Sequence, residues 1–157
     1  MTKGAEETPQ QIALNLLNRR AYSSGELMDK LQQKGVSLDD AESACYELQK
    51  AHLLNDEAYA SDVVRHYAAK HYGRGRIEQE LYRRRVPGEL WQDALAEYST
   101  DEDTPLRLIE QKLQGERPDR AAQKRAVDML YRRGFDWGTI QQAMKQYLAN
   151  LPEDEDD

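Results

Sequence analysis

Apolar residues recur along this chain at intervals of three and four, the spacing of one face of an α-helix. Sustained alternation of β-branched residues, the mark of a strand, is almost absent. The apolar stripes are Ile12, Leu16 and Leu17; Leu27 and Leu31; Val63, Val64 and Tyr67; Ile77 and Leu81; Leu106, Ile109 and Leu113; Ala126 and Leu130; and Ile140, Met144 and Leu148. The pattern predicts an all-α protein.

Turn-forming residues separate the stripes and set the predicted starts of the helices. Ser23 or Ser24 is placed to cap the helix that contains Leu27. Asp136 or Thr139 starts the last helix. Further breaks are predicted at Asn55-Asp56, Gly73-Arg74-Gly75, Pro87-Gly88, Asp103-Thr104-Pro105 and Gly115 to Pro118.

An internal repeat organises these helices. Residues 26–36, 76–86 and 125–135 superpose without gaps, each with an apolar residue four positions before a leucine. Four positions after that leucine comes Gly35, Arg85 or Gly134, followed by an apolar residue. Glycine here ends a helix by taking a positive φ, so the repeat predicts helix, tight turn and helix. Because arginine takes that conformation at a cost of roughly 1 kcal/mol, we expect the second turn to differ.

Each repeat also has a leading helix, around residues 11–20, 58–71 and 106–114. The unit is therefore a three-helix module of about fifty residues, present three times. One module buries little alone, so neighbours are expected to pack end to end into an elongated array. The predicted divisions are a flexible N-terminus at 1–9, repeats at 10–54, 55–100 and 101–149, and a disordered acidic tail at 150–157.

The charge distribution changes what the net charge of −7 first suggests. Acid is concentrated at 6–7, 101–103 and 153–157, whereas the stretch from Arg65 to Gly88 holds seven Lys or Arg against two acids. This stretch is either an anion-binding surface or a solvated helix face, and cations near helix C-termini also offset the helix dipole. The candidate contacts for a partner or DNA are Arg65, Lys70, Arg74, Arg76, Arg83, Arg84 and Arg85, with Arg132 and Arg133 in the echo Tyr131-Arg132-Arg133.

Four glycines are predicted to have structural roles: Gly35 and Gly134 in the turns above, and Gly73 and Gly75 in a turn that starts the Ile77 helix. The last two do not form a dinucleotide-binding loop, because a third glycine and a preceding strand are missing. Their free N–H groups, beside Arg74 and Arg76, are nevertheless a candidate site for a phosphate or a carboxylate.

No constellation of catalytic residues stands out, so we expect neither an enzyme nor a cofactor. The single cysteine, Cys45, excludes an intramolecular disulfide and a Cys-based metal site, and we expect it to be a small buried residue. His66 and His71 are five positions apart, which does not put two metal ligands on one helix face. No apolar run is long enough to span a membrane and the N-terminus is not a secretory signal, so the expected location is the cytoplasm.

Three phrases of the sequence are more specific than a general helical repeat. They are Tyr22-Ser23-Ser24-Gly25-Glu26-Leu27 with Lys34-Gly35-Val36, Leu54-Asn55-Asp56-Glu57-Ala58-Tyr59-Ala60, and Tyr72-Gly73-Arg74-Gly75-Arg76-Ile77-Glu78-Gln79-Glu80-Leu81. Together they resemble the RecX family of bacterial recombination regulators over about residues 10–148. Arg85, where the family pattern favours glycine, and Ala126, where it has a larger apolar residue, depart from it.

The resemblance implies three tandem three-helix repeats that form a curved rod. It also implies a non-catalytic, monomeric regulator that binds the RecA–DNA filament and inhibits its growth, strand exchange and ATP hydrolysis, in recombination, DNA repair and the SOS response. The resemblance further implies direct binding of DNA, as some members of the family show. A helical repeat protein that binds nucleic acid without recombinase specificity is the alternative, and the strength of DNA binding by the free protein distinguishes the two.

Overall fold

The computed structural model describes residues 7–96, 98 and 103–153. Within them every regular element is helical, which confirms the predicted all-α class. The helices are α1 Pro9–Arg19, α2 Ser24–Gln33, α3 Leu38–Lys50, α4 Asp56–Ala69, α5 Arg74–Arg83, α6 Trp91–Ala96, α7 Thr104–Leu113, α8 Arg120–Arg132 and α9 Trp137–Asn150, with a short 3-10 helix at Gly88–Leu90 before α6. The ends of the chain, 1–6 and 154–157, lie outside the described residues; they contain most of the predicted flexible N-terminus and half of the predicted acidic tail.

Side-chain caps explain where several helices begin. Ser23, rather than Ser24, caps α2: its hydroxyl accepts from the backbone N–H of Glu26, and the Glu26 carboxylate accepts from the N–H of Ser23. Asp136 caps α9 by accepting from the N–H and the hydroxyl of Thr139. These hydrogen bonds to the charged form lower the pKa of Asp136.

The three repeat turns share one hydrogen-bond pattern, and each has a residue with positive φ at the same position. Gly35, Arg85 and Gly134 have φ angles of +92°, +58° and +95°. In each turn the following apolar residue donates its N–H to the carbonyl of the repeat leucine five positions back: Val36 to Leu31, Val86 to Leu81 and Phe135 to Leu130, at 3.0–3.2 Å. The expectation that the second turn differs is therefore wrong, because the same hydrogen bonds hold Arg85 in the left-handed conformation.

The nine helices of the described residues form three modules, α1–α3, α4–α6 and α7–α9, which confirms the tandem three-helix repeat. The chain divides into two compact units whose boundary passes through α4 and α5. The first unit contains residues 7–63 and 80–96, and the second contains 64–79, 98 and 103–153. In the first unit, α1–α3 enclose a core around Leu27, Leu31 and Leu48. In the second, α7–α9 enclose a core around Ile109, Leu130 and Ile140.

Within the first unit, the start of α2 meets the turn that ends α5. The Ser23 hydroxyl donates to the carbonyl oxygen of Arg84. A Cβ on Gly25 would lie 2.7 Å from the Cβ of Arg85, so glycine permits this approach. The Arg85 guanidinium also pairs with Asp29. We call this contact the first joint.

Within the second unit, the start of α5 meets the turn that ends α8 in the same way. The N–H of Gly73 donates to the carbonyl of Arg133 at 2.7 Å, and the N–H of Gly75 donates to the carbonyl of Gly134 at 3.0 Å. A Cβ on Gly134 would lie 2.2 Å from the backbone nitrogen of Arg76. In this second joint, N–H groups at one helix end satisfy carbonyls at another, and opposite ends of two helix dipoles face each other.

The buried thiol of Cys45 yields a prediction about reactivity. Burial, followed by the negative charge of Asp56, raises the pKa of Cys45 from an ordinary 9.0 to about 11. We expect iodoacetamide at pH 8 to label the native protein at least ~100-fold more slowly than the protein in urea, because the thiolate is the nucleophile. Since the folded pKa is the higher one, the thiol's contribution to stability is complete below pH 9 and is lost as the pH rises toward 11. Equal labelling rates in the two states would contradict this account.

Candidate partner and nucleic-acid interface

Arg84 is committed to the interior of the first unit. Its Nε donates to the Oε2 of Glu80 at 3.2 Å, and its Nη1 donates to the hydroxyl of Tyr59 at 3.1 Å. The Glu80 side chain is fully buried, and burial, followed by a hydrogen bond to Glu26, raises the pKa of Tyr59. Arg84 therefore links Glu80 and Tyr59 in one polar network. This network gives Tyr59, in the Leu54–Ala60 segment, a structural role.

Asp56 of the same phrase serves the start of α2. Its carboxylate accepts from the backbone N–H of Ser24 at 2.7 Å and also from the Ser24 hydroxyl. Asn55, one position earlier, accepts from the N–H of Ala58 and so caps α4. The Leu54–Ala60 segment, one of the three on which the family resemblance rests, thus connects α4 to α2.

Three further predicted contact residues also have partners inside their own unit. Arg85 pairs with Asp29 in the first joint. Arg133 donates to the carbonyl of Lys70 at 3.1 Å and lies with its Cζ 5.3 Å from the centre of the Tyr72 ring. Arg76 lies 5.8 Å from the same ring. Arg76 and Arg133 are partly buried and contribute to packing, whereas the Arg85 side chain remains 56% exposed.

The remaining predicted cations, like Arg85, face solvent. Arg65, Lys70, Arg74, Arg83 and Arg132 are exposed. Arg74 forms an i,i+4 pair with Glu78 at 3.0 Å, and Arg83, 72% exposed, reaches Glu80 at 3.2 Å. Each of Arg83 and Arg132 follows an exposed tyrosine: Tyr82 is 77% exposed and Tyr131 is 69% exposed. The repeat therefore presents the same Tyr-Arg pair twice.

The candidate anion site at Gly73-Arg74-Gly75 is contradicted. The N–H groups of Gly73 and Gly75 are not free, because both donate to carbonyls in the second joint. The Gly73 and Gly75 predicted as turn residues lie directly before α5 and in its first turn.

A second basic segment is not among the contact residues predicted from the sequence. Five Lys or Arg against two acids lie between Lys112 and Arg125, where α7 turns into α8. All five side chains are exposed: Lys112, Arg117, Arg120, Lys124 and Arg125. A charge count over residues 112–125 would have found them.

The second unit also has an open groove of about 990 Å³ between the first turn of α5 and helices α7, α8 and α9. Among the described residues, its charged lining consists of one cation, Arg74, and three carboxylates, Glu78, Asp103 and Asp136. This balance disfavours a phosphate-bearing ligand. No cluster of three or more His, Cys, Asp or Glu suited to a metal ion occurs in the described part of the chain. Among these residues no helix is long and apolar enough to cross a membrane.

Comparison with known proteins identifies relatives of the whole array. Family models for the first, second and third three-helix domains of RecX match residues 11–48, 55–95 and 101–144. The Regulatory protein RecX of Xanthomonas campestris is 35% identical over 142 residues, which cover 89% of this chain and 88% of that protein. The protein of the same name from Legionella pneumophila is 35% identical over 141 residues, covering 88% and 93%.

A solved structure supports the fold independently. The crystal structure of RecX from Lactobacillus salivarius superposes with a TM-score of 0.78 and covers 90% of this chain and 95% of that one. At 22% identity this likeness concerns the fold alone.

Proposed function

Because the chain belongs to the RecX family of regulatory proteins, we propose that it binds the RecA–DNA filament and opposes filament growth, strand exchange and ATP hydrolysis. It thereby modulates recombination and DNA repair. The observation that carries the proposal is the 35% identity to proteins named Regulatory protein RecX, which spans nine-tenths of both chains. We further propose that it acts in the cytoplasm as a monomer, by binding rather than by catalysis.

The exposed Tyr-Arg pairs are the contact residues we propose for this activity. Tyr82 and Tyr131 leave most of their rings in water, an arrangement that contributes little to a core but suits an interface, where tyrosine and arginine are enriched. Their recurrence at one position of the repeat suits a partner built from repeating subunits. Arg65, Lys70 and Arg74 are additional exposed candidates, whereas Arg76, Arg84, Arg85 and Arg133 contribute mainly through the fold.

The proposal is tested with the RecA of the same organism on single-stranded DNA. We expect the protein to inhibit RecA ATPase and to bind the RecA-coated strand more tightly than the naked strand. Equal affinity for the two would favour the alternative, a nucleic-acid-binding repeat protein without recombinase specificity. Repeating both measurements at several salt concentrations separates the two, because phosphate contacts alone give a steep salt dependence.

The exposed pairs give a sharper prediction. The double substitution Arg83→Gln and Arg132→Gln is expected to raise the concentration for half-maximal ATPase inhibition about tenfold, the equivalent of about 1.4 kcal/mol at an interface. Glutamine is preferred to glutamate at Arg83 because a carboxylate there would face the buried Glu80. Arg84 is unsuitable for this test because of its internal bonds to Glu80 and Tyr59.

The matched control removes two exposed lysines elsewhere, Lys30→Gln and Lys145→Gln. It lowers the net positive charge by the same amount, so an effect of overall charge would appear in both variants. If the two double variants inhibit RecA equally well, the Tyr-Arg pairs do not take part in the contact.

A further inference from the structure

The turn between α7 and α8 forms a small basic groove of about 280 Å³. Lys112 from the last turn of α7, Arg117 from the loop, and Arg125 from α8 line it, together with the amide side chain of Gln114. Two acids, Glu116 and Asp119, also border the groove. One oxygen of Asp119 is engaged as the cap of α8, where it accepts from the N–H of Ala122 at 2.7 Å.

The groove is built on a fixed loop. Gln114 and Gly115 both have positive φ angles, +54° and +76°, and so reverse the chain tightly. The hydroxyl of the buried Tyr147 donates to the carbonyl of Glu116 at 2.6 Å, and the Glu116 N–H donates to the carbonyl of Leu113. The loop is therefore tied to α9 and α7, and the cations project from a defined backbone.

The stability of the helix does not account for these cations. Arg120 is the first residue of α8, at the positive end of the helix dipole, where a further positive charge is unfavourable. Lys124 is four positions later, and like charges at this spacing also destabilise a helix. Among the described residues, Lys112, Arg120, Lys124 and Arg125 form no ion pair, in contrast to Arg74, Arg83, Arg84 and Arg85. Lys112, near the C-terminus of α7, is the one whose position favours its own helix.

The repeat shows what this part of α8 corresponds to in the other modules. In the superposition of the repeats, Lys124 is at the position of Gly25 and Gly75. Those glycines lie against the turn that ends α5 and the turn that ends α8. In α8 itself the equivalent position carries a long cation, and Lys124 and Arg125 are exposed. The position that contacts a neighbouring turn in α2 and α5 thus carries a long, exposed cation in α8.

We propose that this basic groove and the adjoining first two turns of α8 bind the phosphodiester backbone of single-stranded DNA. The inference deepens the proposed function, on which it rests, by naming a contact to the nucleic-acid component of the filament. Lysine and arginine are the side chains that contact phosphates in such complexes, and a chain of net charge −7 can offer them only where its cations are locally concentrated. The cations are spread from the groove along α8, which suits successive phosphates of a strand better than one enclosed anion.

The test uses the full-length protein without RecA and a fluorescent oligothymidylate as the probe. The groove variant is Lys112→Gln with Arg125→Gln, and the control is again Lys30→Gln with Lys145→Gln. We expect the groove variant to lose about tenfold in affinity. The negative slope of log K against log salt should become shallower by about 1.4, that is about 0.7 for each phosphate contact removed. The control should match the wild-type protein in both measurements, and far-UV circular dichroism should be unchanged in all three.

Two other polyanions identify the ligand. Polyglutamate stands for an acidic protein surface and phosphatidylglycerol vesicles for an anionic membrane. If the groove substitutions weaken binding to either as much as to DNA, or leave binding to DNA unchanged, the proposal is overturned. RecA ATPase inhibition by the wild-type protein is measured in parallel, so loss of the proposed regulatory function and loss of this DNA contact are recorded separately.

Discussion

Alanine in place of Gly134 is expected to lower the free energy of unfolding by about 3 kcal/mol, against about 1 kcal/mol for alanine in place of Gly35. Both glycines occupy the same repeat position with nearly equal φ angles, +95° and +92°. The cost of a left-handed alanine is therefore common to both. Only at Gly134 does the added Cβ meet fixed backbone, 2.2 Å from the nitrogen of Arg76, because this turn lies in the second joint. At Gly35 no atom lies within 4 Å of the added carbon.

Urea unfolding followed by circular dichroism measures both values. Since domains of this kind are stable by only about 5–15 kcal/mol, the difference between the two variants is large enough to shift the midpoint clearly. Equal losses would mean that the left-handed conformation alone sets the cost and that the second joint contributes nothing. A second matched pair, Gly35→Asn and Gly134→Asn at low temperature, isolates the steric effect, because asparagine tolerates positive φ and both variants carry the added Cβ. Failure of Gly134→Ala to fold while Gly35→Ala folds would place the steric cost above this estimate.

Alanine in place of Glu80 is the second large expected effect, a loss of about 3 kcal/mol in the free energy of unfolding. The buried carboxylate accepts from Arg83 and Arg84, and its removal takes this acceptor from both guanidinium groups in the network that includes Tyr59. Because Arg84 is still 30% exposed, water compensates part of the loss, which places the estimate at the lower end for a broken buried pair.

Glu78→Ala on the same helix is the control. Its pair with Arg74 is exposed, so the expected cost is about 0.5 kcal/mol or less. Thermal and urea unfolding of both variants check the comparison. A loss at Glu80 no greater than at Glu78 would show that the polar network does not stabilise the first unit.

The helices and their repeat could be predicted from the sequence because the signals are local. Apolar spacing, serine and aspartate caps and the recurrent glycines each act within a few residues. Arg85 shows the limit of that reasoning. Its side chain argues against a left-handed turn, but the Val86–Leu81 hydrogen bond and the pairing with Asp29, 56 positions away, favour it.

The candidate interface was predicted less well, because a count of cations does not reveal which ones have internal partners. Arg84 and Arg133 are adjacent in sequence to Arg83 and Arg132, yet their partners Tyr59 and Lys70 lie 25 and 63 positions away. The candidate anion site at Gly73 and Gly75 failed for the same reason, since its acceptors come from the turn after α8. The cations of the basic groove, by contrast, could have been predicted, because the excess of Lys and Arg over acids between Lys112 and Arg125 is a local feature of the sequence.

The second joint is made from main-chain atoms, two N–H groups and two carbonyls, and its specific requirement is that Gly73 and Gly134 carry no side chain. Such a contact requires only that these two positions remain without a side chain, and it places few constraints on the residues around them. Surface residues of the modules are then free to diverge toward different partners while the architecture persists. We expect related proteins to retain these glycines while their exposed charged residues differ, so that the fold is kept as the surface changes.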